Sequence, residues 1–177
     1  MDKATLDQMW DQFRQKYGVY LRLLEAIPAE RYATHPVPGM RTPQELAVHT
    51  SSIVRDIAEG VAKGRITADE SSEEKFAAEL GNKAALVAFA RQCFEQADAA
   101  VKRIGDAELA AMVPTPWNAT WPGHVAFYVL HDEFLHHRGQ LYAFARCCGA
   151  EPPFMWGYAD NAPEYQPRAV AEAGVPD

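Results

Sequence analysis

The sequence predicts an all-α protein, a four-helix bundle, on three observations. Apolar residues recur at helical spacing in four long stretches. Prolines, glycines and capping residues punctuate the chain between those stretches. No segment alternates apolar and polar residues as a half-buried strand would. With 177 residues and 48% hydrophobic composition, the chain is long enough for one domain with its own core.

The first helix is expected over about 2–26, where Leu6, Met9, Trp10, Phe13, Tyr17, Tyr20, Leu21 and Leu24 share one face and Pro28 ends the run. Two prolines and a glycine make the following loop, 34–40, irregular. Thr42-Pro43-Gln44-Glu45 is a helix start: Thr42 caps, Pro43 suits the first helical position, and Glu45 stands three residues past the cap. That second helix is expected to reach about Ala62, after which Gly60 and Gly64 loosen the chain. Residues 65–81 read as a polar surface crossover. Asn82 caps a third helix that continues to about Ile104 with Leu86, Phe89, Cys93, Phe94 and Val101 inward. Val113-Pro114-Thr115-Pro116-Trp117 must be extended, because two prolines forbid continuous helix. Pro122 opens a fourth helix that runs to about Cys148 and stops at Gly149. The bundle is placed at 1–155, and 156–177 is expected to be a tail that packs along the bundle and frays towards its end.

The net charge of −7, with no concentrated basic face, argues against a nucleic-acid partner. No run approaches the roughly 20 apolar residues of a membrane span, and the N-terminal residues lack the pattern of a secretory signal. Three cysteines, two of them adjacent, do not form a disulfide framework, so a reducing cytoplasm is the expected location. Cys93, Cys147 and Cys148 read as small core fillers ahead of a redox pair.

Three of the six histidines fall within seven residues, at His131, His136 and His137. At about 100° per residue, Glu133 and His137 sit in the middle of the apolar stripe of the fourth helix. His136 lies at the edge of that stripe and His131 on the far side, read as surface, with Leu135, Arg138 and Tyr142. His49 points inward from the second helix, with Leu46, Ile53 and Ile57 to one side of it and Asp56 near its direction. A single inward histidine is usually a satisfied core residue, but an unpartnered buried carboxylate is costly, so Glu133 must be paired, protonated or bound to a cation. His49, Glu133 and His137 match the His-His-Glu set of catalytic zinc sites, and also a two-His, one-carboxylate iron site; nickel and manganese fit as well. Gln140 and Asp56 are the expected partners for the second ring nitrogens. A di-iron reading built on Glu133-x-x-His136 lacks its second Glu-x-x-His pair, since Glu45 and His49 have the wrong spacing. Trp117 and Trp121 are candidates for pocket walls or for packing around the proline turn, and Gly139 is read as permitting close helix packing. No phosphate-binding glycine loop, Cys-x-x-Cys pair or nucleophile elbow is present.

The fragments Thr42-Pro43-Gln44-Glu45-Leu46-Ala47-Val48-His49, Glu59-Gly60-Val61-Ala62-Lys63-Gly64 and His136-His137-Arg138-Gly139-Gln140-Leu141-Tyr142, followed by Cys148-Gly149-Ala150-Glu151-Pro152-Pro153, resemble the DinB-like (damage-inducible, YfiT-like) proteins. The similarity spans about residues 5–155. It implies a four-helix bundle with a long crossover between helices 2 and 3, a homodimer, and one divalent metal held by three histidines. Two of those positions correspond to His49 and His137; the third falls on Glu133, a departure from the family pattern. The resemblance also implies a metal-dependent thiol S-transferase acting on a small molecule with a low-molecular-weight thiol. The ion expected is zinc or nickel first, iron or manganese next. A metal-dependent hydrolase and a non-catalytic structural dimer are the alternatives.

Overall fold

The computed structural model describes residues 1–166; the expectation for the end of the tail, 167–177, lies outside the described residues. Six α-helices and a two-stranded hairpin follow in the order α1 (Lys3–Ala26), α2 (Pro43–Lys63), α3 (Glu70–Glu79), α4 (Lys83–Val101), α5 (Asp106–Ala110), β1 (Met112–Pro114), β2 (Thr120–Pro122) and α6 (Gly123–Cys147). The four long helices are those expected. The crossover and the proline segment are more ordered than their composition suggests.

Helices α1 and α2 lie diagonally across the bundle, each packed against both α4 and α6. Local signals set the ends. Asp2 accepts from the Thr5 amide at α1, and Asn82 accepts from the Ala85 amide at α4. Thr42 and Glu45 form a full capping box at α2, and Gly64 closes that helix in the left-handed conformation. In β1, Val113 faces Trp121 of β2 across an antiparallel pair, and the carbonyl of Pro114 accepts from the Ile66 amide, so the hairpin is anchored to the end of α2.

The core centres on the aromatic face of α1. Trp10 stacks on Phe94 at 5.7 Å, Phe13 meets Phe134 at 4.6 Å, and Tyr17 meets Phe94 at 4.7 Å. The buried hydroxyls are satisfied: Tyr17 donates to the Ala90 carbonyl at 2.8 Å and Tyr20 to the Ala47 carbonyl at 3.0 Å. The Tyr20 bond reaches the α2 backbone two residues before His49, so the aromatic core and the candidate site share one support.

Two glycines play roles opposite to those expected. At Gly60 an added Cβ would lie 2.6 Å from Ile66 Cα, so this position allows close approach rather than loosening the chain. At Gly139 an added Cβ meets nothing within 4 Å, so close packing does not explain that glycine. His131 is half-buried rather than surface: its ring packs on Phe13 at 6.3 Å and its Nε2 lies 3.0 Å from Lys16 Nζ. Gly60→Ala should therefore destabilise by about 1–3 kcal/mol through overpacking, whereas Gly139→Ala should stabilise by up to about 1 kcal/mol through helix propensity. Urea unfolding of the two variants beside the parent checks the opposite signs.

Candidate metal centre

His49 lies at the end of the second turn of α2, where the capping box and Pro43 fix the register, and is 5% exposed. His137 lies in the middle of α6 and is 9% exposed. Their rings meet edge to face at 4.8 Å where α2 and α6 pack. Glu133, one turn before His137, places Oε2 3.1 Å from His137 Nε2. One ligand atom each from His49, Glu133 and His137 lies within 4.8 Å of the other two. The structure thus brings together the three residues singled out in the sequence. It differs on one point: the Glu133 side chain is 43% exposed, so the carboxylate stands at the rim and keeps part of its hydration.

The outer nitrogen of each imidazole is held. His137 Nδ1 lies 2.9 Å from Gln140 Oε1, as expected for Gln140. His49 Nδ1 lies 2.8 Å from Glu73 Oε2 on α3. Glu73 was missed because it sits in a stretch of serines and glutamates that reads as surface. The signal available was the amphipathic step of that stretch, in which Glu73 and Ala77 stand one turn apart and Ala77 is buried. Asp56, the residue expected there, pairs instead with Arg55 Nε at 2.7 Å. His136 is exposed and accepts from Gln140 Nε2 at 3.1 Å, which places it beside the group and outside it.

Protonation fits cation binding. Burial holds the His137 pKa below its usual value of 6.5, and the charges of His49 and His136 push the same way, against the pull of Gln140 and Glu133. A neutral His137 that donates from Nδ1 to Gln140 turns a bare Nε2 lone pair towards the Glu133 carboxylate oxygen. In that tautomer both atoms offer lone pairs on the same side, which a cation beside them can share. Two neutral imidazoles and a carboxylate form a donor set suited to zinc, nickel, iron or manganese.

Two cavities flank the group. One, of about 400 Å³, is lined by Arg41, His49, Ile53, Trp117, Trp121 and Glu133. The stacked Trp117 and Trp121 rings, 5.7 Å apart, face it from the hairpin, so these tryptophans are pocket walls. The other, of about 220 Å³, lies beside His137 and Gln140, and Arg41 borders both.

A helical bundle with a candidate mononuclear His-His-Glu centre between two of its helices defines the class. Residues 12–141 match the DinB superfamily model, and the chain belongs to that superfamily. Among solved structures, the DinB-like protein YjoA from Bacillus subtilis is similar, with a TM-score of 0.64 and 19% identity over 80% of this chain and 92% of that one. At that identity the likeness concerns the fold. No curated protein matches the chain.

Because Glu73 fixes the orientation and tautomer of His49, Glu73→Gln should lower metal affinity about 10–100-fold with little change in fold. A competition titration with a chromogenic chelator, paired with circular dichroism, measures both. Acidification should release metal as well. Ligation needs neutral imidazoles, and His137 stays neutral to a lower pH than a free histidine, so binding should hold at pH 7 and be lost only under more acidic conditions. Metal content that stays the same across the whole acid range, followed by elemental analysis after dialysis, would count against imidazole ligation.

Proposed function

We propose that the protein is a divalent-metal-dependent thiol S-transferase whose ion is held by His49, Glu133 and His137. The observation that carries the reading is the position of the group: its donors converge beside a cavity of about 400 Å³ walled by two tryptophans, so one side faces space that a substrate can enter. A bound divalent ion would supply Lewis acidity, stabilising a thiolate at neutral pH.

The chain's own residues do the remaining work. Glu73 and Gln140 hold the two rings in place. Trp117, Trp121 and Ile53 exclude water from the side where the reacting groups meet and offer a flat apolar surface to the electrophile. Arg41, on the border of both cavities, offers a cation to an anionic group on the thiol or its acceptor. The three cysteines are all free, as a reducing cytoplasm favours, and the thiol to be transferred is supplied by a small molecule. Burial pushes the Cys93 thiol up to about 12, so it stays protonated and is not a nucleophile at neutral pH.

Elemental analysis of untagged protein should find about one divalent ion per chain, lost in His49→Ala, Glu133→Ala and His137→Ala with the helical signal retained. The metal-loaded protein should then accelerate conjugation of a low-molecular-weight thiol with an aromatic halide, and His137→Ala should abolish it. Ester hydrolysis without any thiol would reassign the chemistry to a metal-dependent hydrolase. An ion that remains in all three variants would remove the proposed site altogether.

A further inference from the structure

On another part of the surface, α1, α6 and the segment after α6 enclose a cleft of about 1230 Å³. It shares no lining residue with the two cavities beside the histidines. Lys16, Arg138 and Arg146 border it, against one lining carboxylate, Glu151, in a chain whose net charge is −7. The concentration of cations there runs against the charge of the whole protein.

Arg138 is the main anomaly. The sequence places it on the far side of α6, yet it is only 6% exposed. Its Nη1 is fully buried without a hydrogen-bond partner, and no carboxylate pairs with it among the described residues. The guanidinium stands 5.8 Å from the centre of the Phe134 ring, which gives it an aromatic neighbour and no counter-ion. Arginine stays charged at any working pH, and a buried guanidinium without an anion is an uncompensated charge. Lys16 adds repulsion: burial and the charge of Arg138 both push its pKa down.

Beside these charges and the polar Gln12 and Gln15, one stretch of the wall is apolar and exposed. Phe154 is 70% exposed and Trp156 58%, with Met155 between them. The segment is pinned so that this face stays open: Tyr142 donates to the Pro153 carbonyl at 3.0 Å and Arg22 to the Gly157 carbonyl at 2.7 Å. A contiguous exposed apolar surface beside an unpaired buried cation is the pattern of a ligand site.

We propose that this cleft binds a small amphipathic carboxylate, with the carboxylate on Arg138 and Lys16 and an apolar, ring-sized body against Phe154 and Trp156. The planar fork of a guanidinium matches a carboxylate, and the buried position of Arg138 admits a single slender anionic group more readily than the flat face of a macromolecule. The site is independent of the metal centre, so it serves as a second binding site rather than as part of the transferase pocket.

Isothermal titration of the full chain with 2-naphthoate tests this, with neutral 2-naphthamide as the control. Binding of the acid at least tenfold tighter than the amide is expected, weakened at least tenfold in Arg138→Met and severalfold in Trp156→Ala. Trp156 is exposed, so its variant reports on the cleft even if Arg138→Met fails to fold. Metal-stripped protein should bind 2-naphthoate as tightly as loaded protein. No binding, equal affinity for the amide, or loss of binding through Arg41→Met in place of Trp156→Ala would overturn the proposal. So would sedimentation showing a dimer that Trp156→Ala dissociates, since a second copy would then fill the cleft.

Discussion

Two imidazoles packed edge to face at 4.8 Å, one from α2 and one from α6, are the constraint on which the candidate centre depends. Neither ring can turn freely, because each has its Nδ1 tied, His49 to Glu73 and His137 to Gln140. That restriction settles which nitrogen each ring presents. With Nδ1 engaged, the remaining ring nitrogen is the one available to a cation, and Glu133 completes the set from the same helix as His137. The cost of holding two polar rings in the interior is offset by hydrogen bonds already made, so the group is largely preorganised before any ion arrives.

The placement of those rings rests on the aromatic face of α1. Phe13, Tyr17 and Tyr20 all contact Phe134, which neighbours Glu133 in α6. Tyr20 also bonds to the Ala47 carbonyl and lies 2.9 Å from Ser51 Oγ, on the α2 turn that carries His49. One cluster therefore sets the positions of both helices that supply donors. A loss of packing in α1, which contributes no donor, would spread the donors apart. The hairpin acts from the other side: Pro114 and Pro122 sit in its two strands, Pro116 in its turn, and the carbonyl contact of Pro114 to Ile66 brings Trp117 and Trp121 over the group.

The bundle was legible because its signals are local. A capping box at Thr42, an Asn82 cap and a glycine stop each act within one turn, and the apolar stripes repeat often enough to fix four helices. His49, Glu133 and His137 were legible for a related reason: on a helix of known register, direction follows from position. Glu73 and the burial of Arg138 were not legible, since both depend on which elements pack together. Glu73 looks like one more solvated carboxylate until α3 folds back on α2. Arg138 looks exposed until α1 covers the far side of α6. The short pairing of Val113 with Trp121 escaped for want of length, since three residues give too little alternation to read.

Glu133 is where this chain departs from the three-histidine set that the family resemblance implies, and charge gives the departure a meaning. Three neutral imidazoles around a divalent ion leave two positive charges in place. Here Glu133 contributes one negative charge at the donor set and Glu73 a second one at 2.8 Å from His49, so the two carboxylates offset both. A more nearly neutral centre holds its ion more firmly and lowers the pKa of a bound thiol or water less than a doubly positive one does. The exposed position of Glu133 moderates that effect, because a carboxylate that keeps part of its hydration donates less charge. The acidity of an ion held there would thus depend on how far Glu133 is desolvated, because the carboxylate lines the cavity that also holds Arg41 and Trp121, and filling that cavity would remove water from it.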